Sequence, residues 1–245
     1  MSEPELQPLD EDGIETVLCV VAHPDDIEYG TSAAVARWTD DGKSVSYYLL
    51  TRGEAGIEGM DPVDAAPARA DEERASAAVV GVDRVEFADL ADGTIEYGIP
   101  LRRLVAEQIR RTRPDLVVSL NRHEVFGPGQ LNQADHRAVG QAVIDACADA
   151  GNRWIHPELA ADGLEPWHVR MIAFAASPEA THYVDVTGYA ERAVESLEEH
   201  RLYNAALPES FPSPREIVEG SLGGGAERLG DPDITHALLL EVFTR

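Results

Sequence analysis

The chain has 245 residues, a hydrophobic fraction of 44% and a net charge of −25 at pH 7. A chain of this length buries roughly 70–75% of its unfolded surface and folds without staples. Its apolar content excludes a disordered acidic polymer, and its charge argues against nucleic acid or anionic membrane as the main partner, since both demand a basic face.

Residues 1–15 hold six acids and no base and read as an acidic, flexible arm. They lack the positive start and apolar run of a signal peptide. Thr16 to Ala22 (TVLCVVA) is β-branched and continuously apolar, the pattern of a buried parallel strand. Gly30 to Asp40 has helical spacing, Ser44 to Thr51 reads as a second strand, and Pro67 to Val80 reads as a helix with proline in its first turn. Val85 to Ala88 is a short strand, followed by the turn signal Ala91-Asp92-Gly93. Pro100 to Arg113 is an amphipathic helix, Asp115 to Leu120 a strand and Ala134 to Ala150 a helix. Val169 to Ala176 and His182 to Val186 read as strands, and Tyr189 to Tyr203 as one helix. Beyond residue 206 the chain is rich in proline and glycine, then ends in an apolar stretch, His236 to Phe243.

Strands alternating with helices imply βαβ units and a mostly parallel sheet. The expected architecture is an α/β, Rossmann-like three-layer sandwich. Its body spans residues 16–206, and residues 207–245 form a C-terminal appendix packing on the core. Cys19 and Cys147 have no CxxC partner and read as core filler. No apolar run approaches the ~20 residues that span a bilayer, so the expectation is a cytoplasmic protein with no membrane partner.

Two segments carry chemistry. His23-Pro-Asp25-Asp26 leaves the first strand at its carboxyl end, the edge where open α/β sheets bind ligands. Two adjacent carboxylates are costly to bury unless a cation lies between them, and histidine with aspartate suits zinc. The second segment, Asn132-Gln133-Ala134-Asp135-His136, opens the helix after the DLVVSL strand and sits at the same edge. Asp135 is placed to orient an imidazole by a hydrogen bond. Arg52 in TRGEAG and Arg69 ahead of a glutamate-rich helix are candidates to bind substrate. Glu28 is expected to cap the turn or hold Arg52.

In order and spacing, VVAHPDDIEYG, SYYLLTRGEAG, RADEER, IRRTRPDLVVSLNRHE and ADHRAVG resemble the PIG-L/LmbE-like de-N-acetylases. DVTGYAERAVESLEEH resembles that family's C-terminal strand and helix, so the likeness covers residues 16–204. The resemblance implies one Zn²⁺ per chain, held by His23, Asp26 and His136, with Asp25 as general base. It implies hydrolysis of the acetamide of an N-acetylglucosamine-type conjugate, a small-molecule amino sugar, by a homo-oligomer. The sequence departs from the family at one place: the histidine expected to polarise the oxyanion is Gln133. A glutamine amide donates a hydrogen bond but supplies no proton. Three alternatives follow. Asp25 acts as base and then as acid, or His123 reaches the site, or the protein binds metal and sugar with weak or no turnover. A dinucleotide-binding reading is disfavoured, because His-Pro-Asp-Asp replaces the glycine-rich turn and would repel a pyrophosphate. The acids beyond those at the site read as a surface suited to high salt.

Overall fold

The continuous apolar runs become the strands of one sheet, and the helical patterns cover both its faces. The computed structural model describes residues 5–244. In chain order the first half comprises β1 (Gln7–Pro8), β2 (Thr16–Val21), α1 (Ser32–Asp40), β3 (Ser44–Leu49), α2 (Pro62–Val79), β4 (Arg84–Phe87), α3 (Ile99–Thr112) and β5 (Leu116–Leu120). A hairpin of β6 (Val125–Gly127) and β7 (Gln130–Leu131) leads into α4 (Ala134–Ala150) and α5 (Pro157–Ala161). The remainder is β8 (Met171–Ala175), β9 (His182–Asp185), α6 (Ala190–Glu198), α7 (Arg201–Ala206), α8 (Pro214–Leu229) and β10 (Ala237–Thr244).

The sheet order is β1-β9-β10-β8-β5-β2-β3-β4. All neighbours run parallel except β10, which is antiparallel to both β8 and β9. Side chains alternate across the sheet with a period of two. On β2, Val17, Cys19 and Val21 face one core with Trp38 of α1 and Leu197 of α6. Leu18 and Val20 face the other core, with Val105 and Ile109 of α3 and Val143 of α4. Both faces of β2 are therefore dry, which is why its sequence is a continuous apolar run.

From β2 the chain steps to β3 and β4 on one side, then returns to place β5 on the other side of β2. This reversal puts a crevice outside the carboxyl ends of β2 and β5, the usual ligand site of such sheets. The loops leaving these two strands carry the two motifs.

Four expectations change. Residues 7–14 are not a free arm: β1 pairs with β9, and Leu9 and Ile14 are buried; residues 1–4 lie outside the described residues. The C-terminal segment is more than an appendix. β10 lies inside the sheet and bonds to strands on both sides, so removing it would strand two rows of backbone groups. Helix α2 starts a turn earlier than predicted, because the Asp61 side chain accepts from the Val63 N–H and caps it there, leaving Pro67 inside the helix. The helix predicted over 189–203 is broken into α6 and α7 at His200, whose φ/ψ of −75°/55° turns its ring into the interior. No helix among the described residues is long and apolar enough to cross a membrane.

Candidate metal centre and active site

The loop after β2 folds back on Asp26. Its Oδ2 accepts the N–H groups of Ala22 at 3.0 Å and His23 at 2.8 Å. Those bonds aim Oδ1 at His136 Nε2, 3.0 Å away, at the start of α4. His23 Nδ1 lies 3.2 Å from the same nitrogen and 3.6 Å from Asp26 Oδ2. The crevice thus brings His136 to His23 and Asp26, more than a hundred positions away in the chain.

A neighbouring acceptor sets the tautomer of His136. Asn132 Nδ2 donates to the carbonyls of Asn121 (2.7 Å) and His123 (2.9 Å). Its Oδ1 therefore faces His136 Nδ1 at 2.9 Å, and also accepts the Gln133 N–H. His136 must then carry its proton on Nδ1, leaving a lone pair on Nε2. His23 Nε2 lies 3.1 Å from Asp92 Oδ1 and 3.3 Å from Asp135 Oδ2. Burial favours the neutral form of Asp135, but the His23 ring and the N–H groups of Ile95 and Gly93 outweigh it and hold the carboxyl below its usual range. Burial opposes a charged His23 ring, but Asp26, Asp135 and Asp92 prevail and push its pKa up to about 12, so Nε2 keeps its proton and Nδ1 would give its own up to a metal. His23 Nδ1, His136 Nε2 and Asp26 Oδ1 converge on one point, where a cation would take the place of the proton between them. Two histidines and one carboxylate with a free position form the donor set of a catalytic zinc site. His23, Asp26 and His136 fit the metal, and Asp135 and Asn132 orient the rings through their far nitrogens, as such sites require. Asp135 steadies His23 rather than its own neighbour, His136.

Asp25 stands beside this centre at φ 86°, a left-handed conformation that costs a non-glycine residue roughly 1–3 kcal/mol. Its N–H donates to Glu73 Oε2 at 3.2 Å, and its Oδ2 lies 3.2 Å from Arg69 Nη2. Burial pushes the Asp25 carboxyl up to about 6; Arg69 opposes the rise and Asp26 adds to it. Arg69 is buried, donates to the carbonyls of Gly53 (3.1 Å) and Pro24 (2.7 Å), and lies 3.9 Å from the centre of the Tyr203 ring. A Cβ on Gly53 or Gly56 would collide with its guanidinium, so these glycines make room for it. A cavity of about 500 Å³ opens over the centre, walled by Tyr29, Phe126, Tyr203 and Phe211, with Asp25, Arg69, Asp92 and Gln133 among its polar lining.

Three expected roles are not met. Arg52 turns away to Asp89, its Nε 2.5 Å from Oδ1, and lies over Phe87, so it does not line the cavity. A carboxylate at the mouth of β4 is its nearest counter-charge. Glu28 reaches neither Arg52 nor the turn; it points into the protein, accepts from Ser76 Oγ at 2.8 Å and faces His200. His123 is tied to Glu241 of β10, Nε2 to Oε2 2.9 Å, and stays out of the cavity. Sequence reasoning missed Asp92, Asn132, Glu73 and Tyr203. Asp92 stood in a turn signal that gave no hint of a ligand contact, and Asn132 was visible only as the residue four before His136, one helical turn away.

Residues 18–147 match the family model described as PIG-L, GlcNAc-PI de-N-acetylase. The chain is 28% identical over 189 residues to the diacetylchitobiose deacetylase of Thermococcus kodakarensis, covering 76% of this chain and 69% of that protein. Its fold is similar to that of the N,N'-diacetylchitobiose deacetylase from Pyrococcus horikoshii, with a TM-score of 0.85 at 22% identity over 96% of this chain and 85% of that one. It is also similar to GalB, the 4-carboxy-2-hydroxymuconate hydratase from Pseudomonas putida KT2440, with a TM-score of 0.76 at 20% identity over 95% of this chain and 98% of that one. At such identities these two structures speak for the fold alone. With over half of the chain inside the family model and the motif residues gathered around one centre, the chain belongs to the PIG-L family of metal-dependent de-N-acetylases.

Proposed function

We propose that this protein is a zinc-dependent deacetylase that removes the N-acetyl group from a small N-acetylglucosamine-type conjugate, with one zinc ion per chain. The observation that carries the reading is the convergence of His23 Nδ1 and His136 Nε2, 3.2 Å apart, on Asp26 beside the Arg69-paired carboxylate of Asp25. A zinc ion held there supplies Lewis acidity, polarising a carbonyl and making water nucleophilic near neutral pH. Asp25 takes the proton of the attacking water. The same carboxyl is placed to return that proton to the departing amine. Gln133, the residue before α4, faces the cavity and is placed to donate its amide N–H to the acetyl oxygen as that oxygen gains charge. Arg69 and Asp92 offer a cation and an acceptor to sugar hydroxyls, and Tyr29, Tyr203 and Phe211 offer flat apolar walls to the sugar ring. The homo-oligomer expected of a family member belongs to the same reading and is tested by sedimentation.

One observation favours the alternative of binding without efficient turnover. Among the described residues, the histidines lining the cavity are His23 and His136, both committed to the metal. Acetate release from N-acetylglucosamine conjugates by zinc-loaded protein decides between the two. Turnover that Asp25→Asn abolishes while zinc content stays at one per chain supports the deacetylase. Stoichiometric zinc with no acetate released from any such conjugate supports the binder.

A further inference from the structure

Behind Asp25 lies a buried polar cluster that does not line the cavity: Glu28, Glu73 and His200, each with at most 1% of its surface exposed. His200 Nε2 is 3.7 Å from both Glu28 Oε2 and Glu73 Oε2. Ser76 Oγ donates to Glu28 Oε1 at 2.8 Å and meets Ser196 Oγ at 2.7 Å. Burying three titratable groups is expensive, so their placement calls for a reason.

The reason lies one helical turn away. Arg69 and Glu73 stand four residues apart on α2 and so share a face. Arg69 meets the carboxylate of Asp25, and Glu73 meets its backbone N–H. One helix face therefore grips both ends of the residue that sits at φ 86°. The N–H bond to Glu73 falls on the residue in that left-handed conformation, and the same loop carries the candidate metal residues His23 and Asp26.

We propose that Glu73 is a positioning residue: backed by His200 and Glu28, its side chain reaches just far enough to hold the Asp25 backbone in the left-handed turn that aims the carboxylate into the cavity and presents His23 and Asp26 to the metal. Reach, rather than charge, is the property that matters. At 3.7 Å His200 and the two carboxyls face one another without a hydrogen bond. Burial, with Glu28 adding to it, pushes the Glu73 carboxyl well above its ordinary range, so an uncharged amide of the same length is a close match. As regards catalysis, this inference rests on Asp25 acting in the proposed reaction; as regards the metal, it stands on the loop alone.

Two substitutions in the full-length chain separate reach from charge. Glu73→Gln keeps the length and an acceptor oxygen. Glu73→Asp keeps the acid and withdraws it by one methylene. Zinc affinity is measured by competition with a chelator, and kcat and KM at saturating zinc. The Glu73→Gln protein is expected to match its parent in both. The Glu73→Asp protein is expected to bind zinc roughly tenfold more weakly and to lose kcat roughly ten- to hundredfold with KM nearly unchanged, the signature of a misaimed group. Parent-like behaviour of Glu73→Asp overturns the proposal, and so does a loss in Glu73→Gln as large as that in Glu73→Asp. A loss of zinc affinity in Glu73→Gln overturns it even if the Glu73→Asp protein does not fold. A parent that binds zinc but releases no acetate sinks the proposed function and leaves the zinc measurements to decide this one.

Discussion

His23 Nδ1 and His136 Nε2 face each other across 3.2 Å, and in each ring an oxygen acceptor faces the far nitrogen. Together with Asp26 the two nitrogens form a donor set that fits a metal ion. This arrangement gives Asn132 a definite role, since its Oδ1 keeps the proton of His136 on Nδ1. Asn132→Leu should lower zinc affinity roughly 10–100-fold, whereas Asn132→Asp, which retains the acceptor, should lose much less. Chelator competition on folded proteins measures both. Equal affinities would mean that the ring is oriented by packing alone.

Gln133 occupies the position from which a family histidine is expected to act. Gln133→His adds a group able to carry charge and a proton where the amide only donates a hydrogen bond. Acetate release by that variant should rise above the parent's. An unchanged rate would mean that Asp25 already meets the proton demand of the reaction.

Glu241 links three parts of the cavity's surroundings to the C-terminal strand. Arg122 Nη2 (2.6 Å), His123 Nε2 (2.9 Å) and Ser177 Oγ (2.8 Å) all surround its carboxyl. Burial favours its neutral form, but His123, Ser177 and Arg122 prevail and depress its pKa below the ordinary 4.5. A group with a depressed folded pKa contributes stability that is full above its unfolded value and is lost as pH falls through the folded one. Glu241→Gln should therefore cost about 1–3 kcal/mol at neutral pH, and the gap to the parent should close in acid below pH 4.5. Denaturant melts at pH 7 and in that acid window test this; a gap independent of pH would remove the electrostatic account.

The net charge of −25 remains after the site has been assigned its few carboxylates. Exposed acids repel one another, and salt shortens the range of that repulsion from about 10 Å at 0.1 M to about 3 Å at 1 M. The melting temperature should rise by at least about 4 °C over that range, equivalent to roughly 1–2 kcal/mol for a chain of this size. A flat salt response would leave the acid surplus without an electrostatic consequence.

The sequence by itself determined the parallel α/β core and pointed to candidate metal residues. Continuous β-branched runs such as TVLCVV are stable only when buried on both faces, and a His-Pro-Asp-Asp turn at a strand's carboxyl end offers donors that suit a cation. What it left undecided depends on long-range geometry. Arg52 and Arg69 look alike in the chain, yet Arg69 meets Asp25, and Arg52 meets Asp89. His123 is close in sequence to the second motif, but Glu241, 118 residues away, holds it outside the cavity. The terminal strand reads as a loose addition, because a central antiparallel strand has no local signature that tells which neighbours it will pair with. His200 reads as one more residue of a helix until its burial against Glu28 and Glu73 breaks that helix in two. Local pattern selects strands, helices and ligand types, because those follow from the backbone period and the chemistry of single residues. The partner of a charged side chain is set by which loops the sheet order brings to one edge, and only the tertiary structure decides that.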